Sequence, residues 1–254
     1  MVEAKKYLGQ HFLKDEVVCQ DIANAMESAD SSEKFIEVGP GMGAITKYLI
    51  KKYKNLSVVE VDGDSISYLA ETYPELDVVD FDFLKLDLSK LNNGESFKVF
   101  GNFPYFISSQ ILNKIFENKD LVSEVVGMFQ KEVSEKVNAK PGNKNYGIIS
   151  VFIQAFYSVE YLFTVPEGAF DPPPKVKSGV IKLVRKENQE IGISMSTFKQ
   201  VVKLGFNQRR KTLRNSLKSI LPEATREEEI LNKRPEQLTV NEFVEIGEMI
   251  EKHQ

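Results

Sequence analysis

The chain has 254 residues, with 33 Lys+Arg against 37 Asp+Glu and a formal net charge of −4. Hydrophobic residues make up 42% and charged residues 28%, which excludes a disordered or fibrous chain. One cysteine, Cys19, excludes an intrachain disulfide and a Cys-rich zinc site, and two histidines, His11 and His253, at opposite ends argue against a His-based metal centre.

At ~100–200 residues per domain, the length predicts one large domain and one smaller one. The first sixteen residues carry Glu3, Lys5, Lys6, His11, Lys14 and Asp15 and lack the apolar core of a signal peptide. The most apolar region, Tyr146–Phe163, is interrupted by Ser150, Gln154, Ser158 and Glu160, short of the ~20 nearly unbroken apolar residues of a bilayer helix. It reads as a buried helix running into a strand. The expectation is a cytoplasmic protein with no membrane partner, and nothing indicates an oligomer, so a monomer is expected.

In chain order, Lys34–Val38 is a strand, followed by a glycine turn and a helical pattern at 45–53. Leu56–Val61 is a second strand, followed by a helix that stops before Pro74. Leu76–Val79 is a third. Phe97–Gly101 is a fourth, followed by a helix at 108–118. Val122–Phe129 is a fifth, and Tyr161–Val165 and Val180–Val184 complete a set of seven. Strands alternating with helices predict a mostly parallel sheet covered by helices. Asp171–Val176 must be extended, because consecutive prolines exclude a helix.

From Lys186 to Gly192 the chain is polar and reads as a linker, which divides it into domains at 1–185 and 186–254. Beyond the linker only helical patterns occur: Ser194–Gly205, Arg209–Leu221 (stopped by Pro222), Ala224–Lys233, and a last helix with Thr239 as N-cap and Glu242 completing a capping box.

After the first strand comes Glu37-Val38-Gly39-Pro40-Gly41-Met42-Gly43-Ala44. Glycines here allow a tight turn and the close approach of a ligand to the backbone, and a following helix start offers unpaired N–H groups. Glu60 stands twenty-one residues past Gly39 at the end of the second strand, with Asp62 beyond, and a carboxylate there suits ribose hydroxyls. The domain therefore reads as a binder of an adenosine-like cofactor. Gly39, Gly41 and Ala44 satisfy the dinucleotide pattern. Glu37 and Gly43 instead resemble the methyltransferase form E-x-G-x-G-x-G and favour S-adenosylmethionine. After the third strand Asp80, Asp82 and Asp87 compete to accept the adenine amino group, and periodicity does not choose among them.

Directly after the fourth strand stands Gly101-Asn102-Phe103-Pro104-Tyr105-Phe106-Ile107-Ser108. Open α/β sheets bind ligands at the carboxyl ends of their strands, so this turn faces the cofactor. Asn102 offers an acceptor oxygen, Pro104 constrains the turn without an N–H, and Tyr105 offers a flat face for a base. Two acceptors, the Asn102 side chain and a backbone carbonyl of the turn, would bind both hydrogens of an exocyclic adenine nitrogen. They would favour a pyramidal nitrogen with its lone pair aimed at a sulfonium methyl. Farther on, Ser194–Ile220 holds Lys199, Lys203, Arg209, Arg210, Lys211, Arg214 and Lys218 and no acidic residue, a local asymmetry that points to phosphate contact.

With these motifs in place, the sequence resembles the KsgA-type ribosomal small-subunit (16S) RNA adenine N6,N6-dimethyltransferases over nearly its whole length. The matching stretches are LGQHFL (Leu8–Leu13), EVGPGMG (Glu37–Gly43), GNFPYFIS (Gly101–Ser108), NYGIISV (Asn145–Val151), FDPPPKVKS (Phe170–Ser178) and FNQRRKTLRNSL (Phe206–Leu217). The resemblance implies a class I S-adenosylmethionine-dependent methyltransferase fold, Rossmann-like and α/β, with a mostly parallel seven-stranded sheet and a small all-helical C-terminal domain that binds rRNA. It implies cofactor contacts at His11, Leu13, Gly39, Gly41, Glu60, Asp82 and Asn102, which selects Asp82 among the three aspartates. It implies catalytic roles for Asn102, Pro104 and Tyr105, with Tyr105 and Phe170 stacking on opposite faces of a flipped adenine. RNA contacts are expected at Arg209, Arg210, Lys211 and Arg214. The implied reaction puts two methyls on each of two adjacent adenosines near the 3′ end of 16S rRNA, within a pre-assembled 30S subunit. The chain departs from the family pattern at His11, commonly Asn, at Phe103, commonly Leu, and at Phe106, commonly Asn.

Overall fold

A computed structural model describes residues 2–26 and 32–253. In chain order the elements are β1 (Phe12–Leu13), α1 (Glu16–Asn24), β2 (Lys34–Val38), α2 (Thr46–Lys52), β3 (Leu56–Glu60), α3 (Gly63–Thr72), β4 (Asp77–Asp80), β5 (Phe97–Asn102), α4 (Ser108–Glu117), β6 (Val122–Gln130), α5 (Lys131–Asn138), α6 (Ile148–Phe156), β7 (Tyr157–Val165), β8 (Phe170–Asp171), β9 (Ser178–Arg185), α7 (Met195–Asn207), α8 (Leu213–Ser216) and α9 (Val240–Glu251).

Seven strands form one sheet in the order β4-β3-β2-β5-β6-β9-β7. The pairs from β4 to β6 are parallel, and β9 runs antiparallel to β6. Each of the seven expected strands is present, and β7 begins at Tyr157 rather than Tyr161. The central strands β2 and β3 are almost entirely buried, which is why KFIEV and LSVVE read as near-continuous apolar runs. At the edge, β4 exposes Asp77 and Asp80, charges that discourage further strand pairing.

The chain leaves β2 toward β3 and β4, then returns to place β5 on the other side of β2. That reversal opens a crevice at the carboxyl ends of β2 and β5. Val38 pairs with Gly101, so Gly39 and Asn102, the next residue on each strand, begin at the same level. Two motifs more than sixty residues apart therefore meet there.

The residues group into two compact units, Met1–Glu135 with Ser158–Arg185, and Lys136–Tyr157 with Lys186–Gln254. The second unit takes in residues 136–157, which a division at 185/186 leaves in the first. The reason is the apolar α6: Phe152 and Phe156 contact Phe198 of α7 at centroid distances of 5.9 and 6.4 Å, and Tyr146 contacts Phe206. A helix apolar on so many faces needs partners all round, and the helices beyond residue 192 supply them.

Within the second unit the expected helix over Arg209–Leu221 shrinks to α8, four residues long, and Ala224–Lys233 forms two short 3-10 turns, Glu223–Thr225 and Glu229–Asn232. Like charges four residues apart at Arg210, Arg214 and Lys218, and at Glu223 and Glu227, oppose regular helix, while Leu213, Leu217 and Leu221 still bury from successive turns. The last helix is as expected: Thr239 Oγ1 accepts from the Glu242 N–H, and the Glu242 carboxylate accepts from the Thr239 N–H at 2.7 Å. Among the described residues no helix is long and apolar enough to cross a membrane.

Candidate active site

A cavity of about 290 Å³ in the first unit opens at the carboxyl ends of β2, β3 and β5. Gly39 and Gly41 line it with φ of 66° and 55°, backbone that L side chains avoid. A Cβ at Gly39 would enter open space, whereas one at Gly41 would lie 2.9 Å from the Phe12 ring. The glycine turn extends through residue 45, so α2 begins later than its sequence pattern predicts.

Glu37, on β2, is 2% exposed and receives the Thr46 hydroxyl at 2.5 Å. Burial pushes its carboxyl up to about 8 from an ordinary value near 4.5, against the Thr46 hydrogen bond and with some help from Glu60, so near neutrality it holds a proton. Glu60 lines the cavity at the end of β3. One of its oxygens accepts from the N–H groups of Val61 and Asp62 at 2.8 and 3.0 Å, the other from Gly41 at 3.1 Å. A carboxylate has about four acceptor positions. Three are committed, which leaves room for one further hydroxyl rather than two.

Asp62 does not share that role. It is 2% exposed, caps α3, and accepts from Lys5, Gln10 and Ser65. Burial alone would raise its carboxyl; those hydrogen bonds outweigh it and hold the group below its usual range. Lys5 also pairs with Asp64 at 2.7 Å. Asp62 thus clamps the N-terminal segment over the site, a function that only its distant partners reveal. Of the three competing aspartates, Asp82 lines the cavity, accepts from the Leu84 N–H and pairs with Lys85 at 3.4 Å. Asp80 ends the edge strand, and Asp87 caps a short 3-10 turn.

The Asn102 turn is held from several sides. The Asn102 side-chain amide donates to the His11 carbonyl at 3.1 Å, which leaves its oxygen as the free end of the group in the cavity lining. Phe103 donates its N–H to the Met128 carbonyl, and its buried ring stacks on Phe129 at 4.8 Å. That ring fills the space over Gly101 and Gly127, where any Cβ would come within 2.7 Å of it. The large aromatic at 103 is accommodated because the two strands beneath lack side chains there. The Pro104 carbonyl accepts the Ile107 N–H, while no described hydrogen bond reaches the Phe103 carbonyl. Tyr105 is half-buried, its hydroxyl 2.6 Å from Ser178 Oγ, and one ring face stacks on His11 at 5.7 Å.

His11 and Leu13 line the cavity. The strand pair β1–β8, invisible to sequence periodicity, explains their position: Leu13 pairs with Phe170 and Phe12 with Asp171, and His11 Nδ1 lies 2.7 Å from the Pro172 carbonyl. Phe170 is placed apart from the cavity lining: its ring is fully buried in the apolar core beneath β8.

The basic segment also differs from expectation. Arg214 pairs with Glu227 at 3.1 Å, and Arg209 donates to the Lys144 carbonyl at 2.7 Å. Arg210 and Lys211 are exposed, with no ion pair among the described residues.

The ribosomal RNA adenine dimethylase family matches residues 1–252 of this chain. The chain belongs to that family. It is therefore an RNA adenine dimethyltransferase, and the Asn102 turn stands in the unit that carries the methyltransferase sheet. A ribosomal RNA small subunit methyltransferase A from Bacteroides fragilis is 53% identical over 99% of this chain and 94% of its own length. One of the same description from Cytophaga hutchinsonii is 51% identical over 98% of each chain. Among solved structures, a dimethyladenosine transferase from Plasmodium falciparum superposes with a TM-score of 0.81 at 26% identity, covering 93% of this chain and 96% of that one. The 23S rRNA methyltransferase ErmE shares the fold, with a TM-score of 0.73 at 22% identity over 94% and 99% of the two chains.

Proposed function

We propose that this dimethylase transfers methyl groups from S-adenosylmethionine to N6 of two adjacent adenosines near the 3′ end of 16S rRNA, acting on a pre-assembled 30S subunit in the cytoplasm, as a monomer. The observation that carries the reading is the Asn102 amide, tied through its nitrogen to the His11 carbonyl with its oxygen left for the cavity. That oxygen and the Phe103 carbonyl are two acceptors one residue apart, suited to the two hydrogens of an exocyclic amine. Holding both sets the direction of the nitrogen lone pair, and alignment of this kind is worth orders of magnitude in rate. Pro104 keeps the turn rigid, and Tyr105, fixed by Ser178, supplies the flat face for the adenine.

The cofactor fits the residues present. Gly39 and Gly41 would let it approach the backbone, Glu60 has one acceptor position for a ribose hydroxyl, and Asp82 would take the adenine amino group. His11 and Leu13 wall the near side. When bound, it supplies an electrophilic sulfonium methyl. Residues 1–135 and 158–185 carry this chemistry; residues 186–254, together with 136–157, carry the ribosomal contacts, with Arg210 and Lys211 exposed and Arg209 and Arg214 braced by neighbours.

The test is radiolabelled methyl transfer to unmethylated small subunits followed by mapping of the modified nucleotides. Label in dimethyladenosine at two neighbouring positions is expected; an active preparation that leaves those subunits unlabelled refutes the proposal. The high identity to small subunit methyltransferases favours this substrate over large-subunit RNA.

A further inference from the structure

Of the exposed aromatics that line the cavity among the described residues, Phe81 is 47% exposed and precedes Asp82, whereas Phe106 belongs to the Asn102 turn. It follows Tyr105 directly, lines the same cavity, and is 62% exposed, while Phe103, three residues earlier, is 1% exposed. A ring that lines a cavity and still faces water sits at its mouth. Exposing a large aromatic there forgoes the burial that stabilises the other rings. Its contact within the protein is limited: part of the ring leans on Gly9, where a Cβ would fall 2.8 Å away, beside the Pro104 ring. Gly9 has a φ of 63° and is itself held in place by the Lys6–Leu8 turn. Phe106 is thus propped from below and open above.

We propose that Phe106 forms a nucleobase subsite: a stacking platform for the unpaired base adjoining the adenine in the cavity. The proposal rests on the functional reading above and extends it to how the neighbouring nucleotide is held. The occupant follows from continuity. A base lodged between Tyr105 and the Asn102 oxygen leaves its covalent neighbour within one nucleotide of the mouth, where Phe106 presents the exposed flat face. Base–aromatic stacking tolerates any base, so the subsite orders the strand rather than reads it. An enzyme that modifies two adjacent adenosines needs the second kept at hand while the first reacts.

Three variants separate stacking from packing. Phe106→Leu keeps the apolar contact with Gly9 and removes the flat face; Phe106→Ala removes both; Phe106→Trp keeps a flat face. Steady-state methylation of unmethylated small subunits should show KM raised about 5- to 100-fold in the Leu and Ala variants. Phe106→Trp should stay within threefold of the wild type, and calorimetric affinity for S-adenosylmethionine should remain within twofold in all three. A wild-type KM in the Leu or Ala variant overturns the subsite, as does cofactor affinity that falls in step with KM. If the wild-type protein itself fails to methylate small subunits, the functional reading fails instead. The subsite is then judged by fluorescence, since the chain has no tryptophan of its own. The single indole of Phe106→Trp should be quenched on adding single-stranded polyadenylate, and an unquenched signal overturns the proposal.

Discussion

The turn at 102–105 and the basic segment at 194–220 are the two most conspicuous stretches of the sequence, and the fold treats them differently. The turn stands at the strand end where its sequence position puts it, because β5 pairs in register with β2 and β6, and a strand end in a parallel sheet has one place to go. The basic segment keeps α7 but gives up the regular helix expected over Arg209–Leu221, and it divides its charges. Arg214 turns to Glu227 and Arg209 to a carbonyl, while Arg210 and Lys211 face solvent. Backbone hydrogen bonding positions a short side chain at a strand end. A long cationic side chain has several rotatable bonds and goes to whichever acceptor lies within reach. The first kind of site is readable from motif and topology; the second is decided by neighbours.

The largest expected effect tests the turn. Asn102→Ala should lower kcat for methyl transfer by about 100-fold or more, the scale of a missing alignment, with cofactor affinity within a few-fold of wild type. Single-turnover kinetics and calorimetry check it, and unchanged turnover would remove Asn102 from the mechanism. Next, Gly39→Val places a β-branched side chain on left-handed backbone and into the cavity. It should weaken S-adenosylmethionine binding at least tenfold, as measured by calorimetry, and cost ~1–2 kcal/mol of stability from the backbone alone.

The basic segment gives the sharper contrast. Reversing Arg210 and Lys211 together should weaken subunit binding about tenfold and make its salt dependence shallower, by ~0.7–0.9 in log–log slope for each phosphate that is no longer neutralised. Reversing Arg214 should instead lower the melting temperature by setting a carboxylate against Glu227, with little change in slope. Equal slopes for the two variants would mean that the internal ion pair does not commit Arg214.

The smallest effect concerns Glu37. Its folded-state pKa of about 8 lies above its ordinary value near 4.5, so the folded protein favours the protonated form. Its contribution is complete below about pH 4.5 and declines as pH rises through 8. Glu37→Gln keeps an acceptor for Thr46 and removes that decline. Relative to wild type, the variant should gain ~1 kcal/mol or more between pH 5 and pH 8, since one pKa unit is ~1.4 kcal/mol. Denaturation at the two pH values checks it, and parallel curves would place the ionised carboxylate in the fold.

Legibility followed the range of the interactions. Strands, glycine turn and capping box depend on residues near one another in the chain, and each is present, with β7 begun earlier and α2 begun later than the pattern puts them. The clamp of Lys5 and Gln10 on Asp62, the β1–β8 pair, the Tyr105–Ser178 hydrogen bond and the burial of Phe170 join residues from distant motifs. LGQHFL and FDPPPKVKS were recognisable as motifs, and yet neither contains any sign that it pairs with the other.

From sequence alone came the α/β architecture, the strand-end positions of Gly39 and Asn102, and the family, because local propensity and motif spacing act over a few residues. Only the tertiary structure decided which end of the Asn102 amide faces the cavity, how many acceptor positions Glu60 has left, and which cations remain exposed. The first depends on His11, the second in part on Gly41, and the third on Lys144 and Glu227, and side-chain hydrogen bonds and burial form only once the backbone has placed both ends.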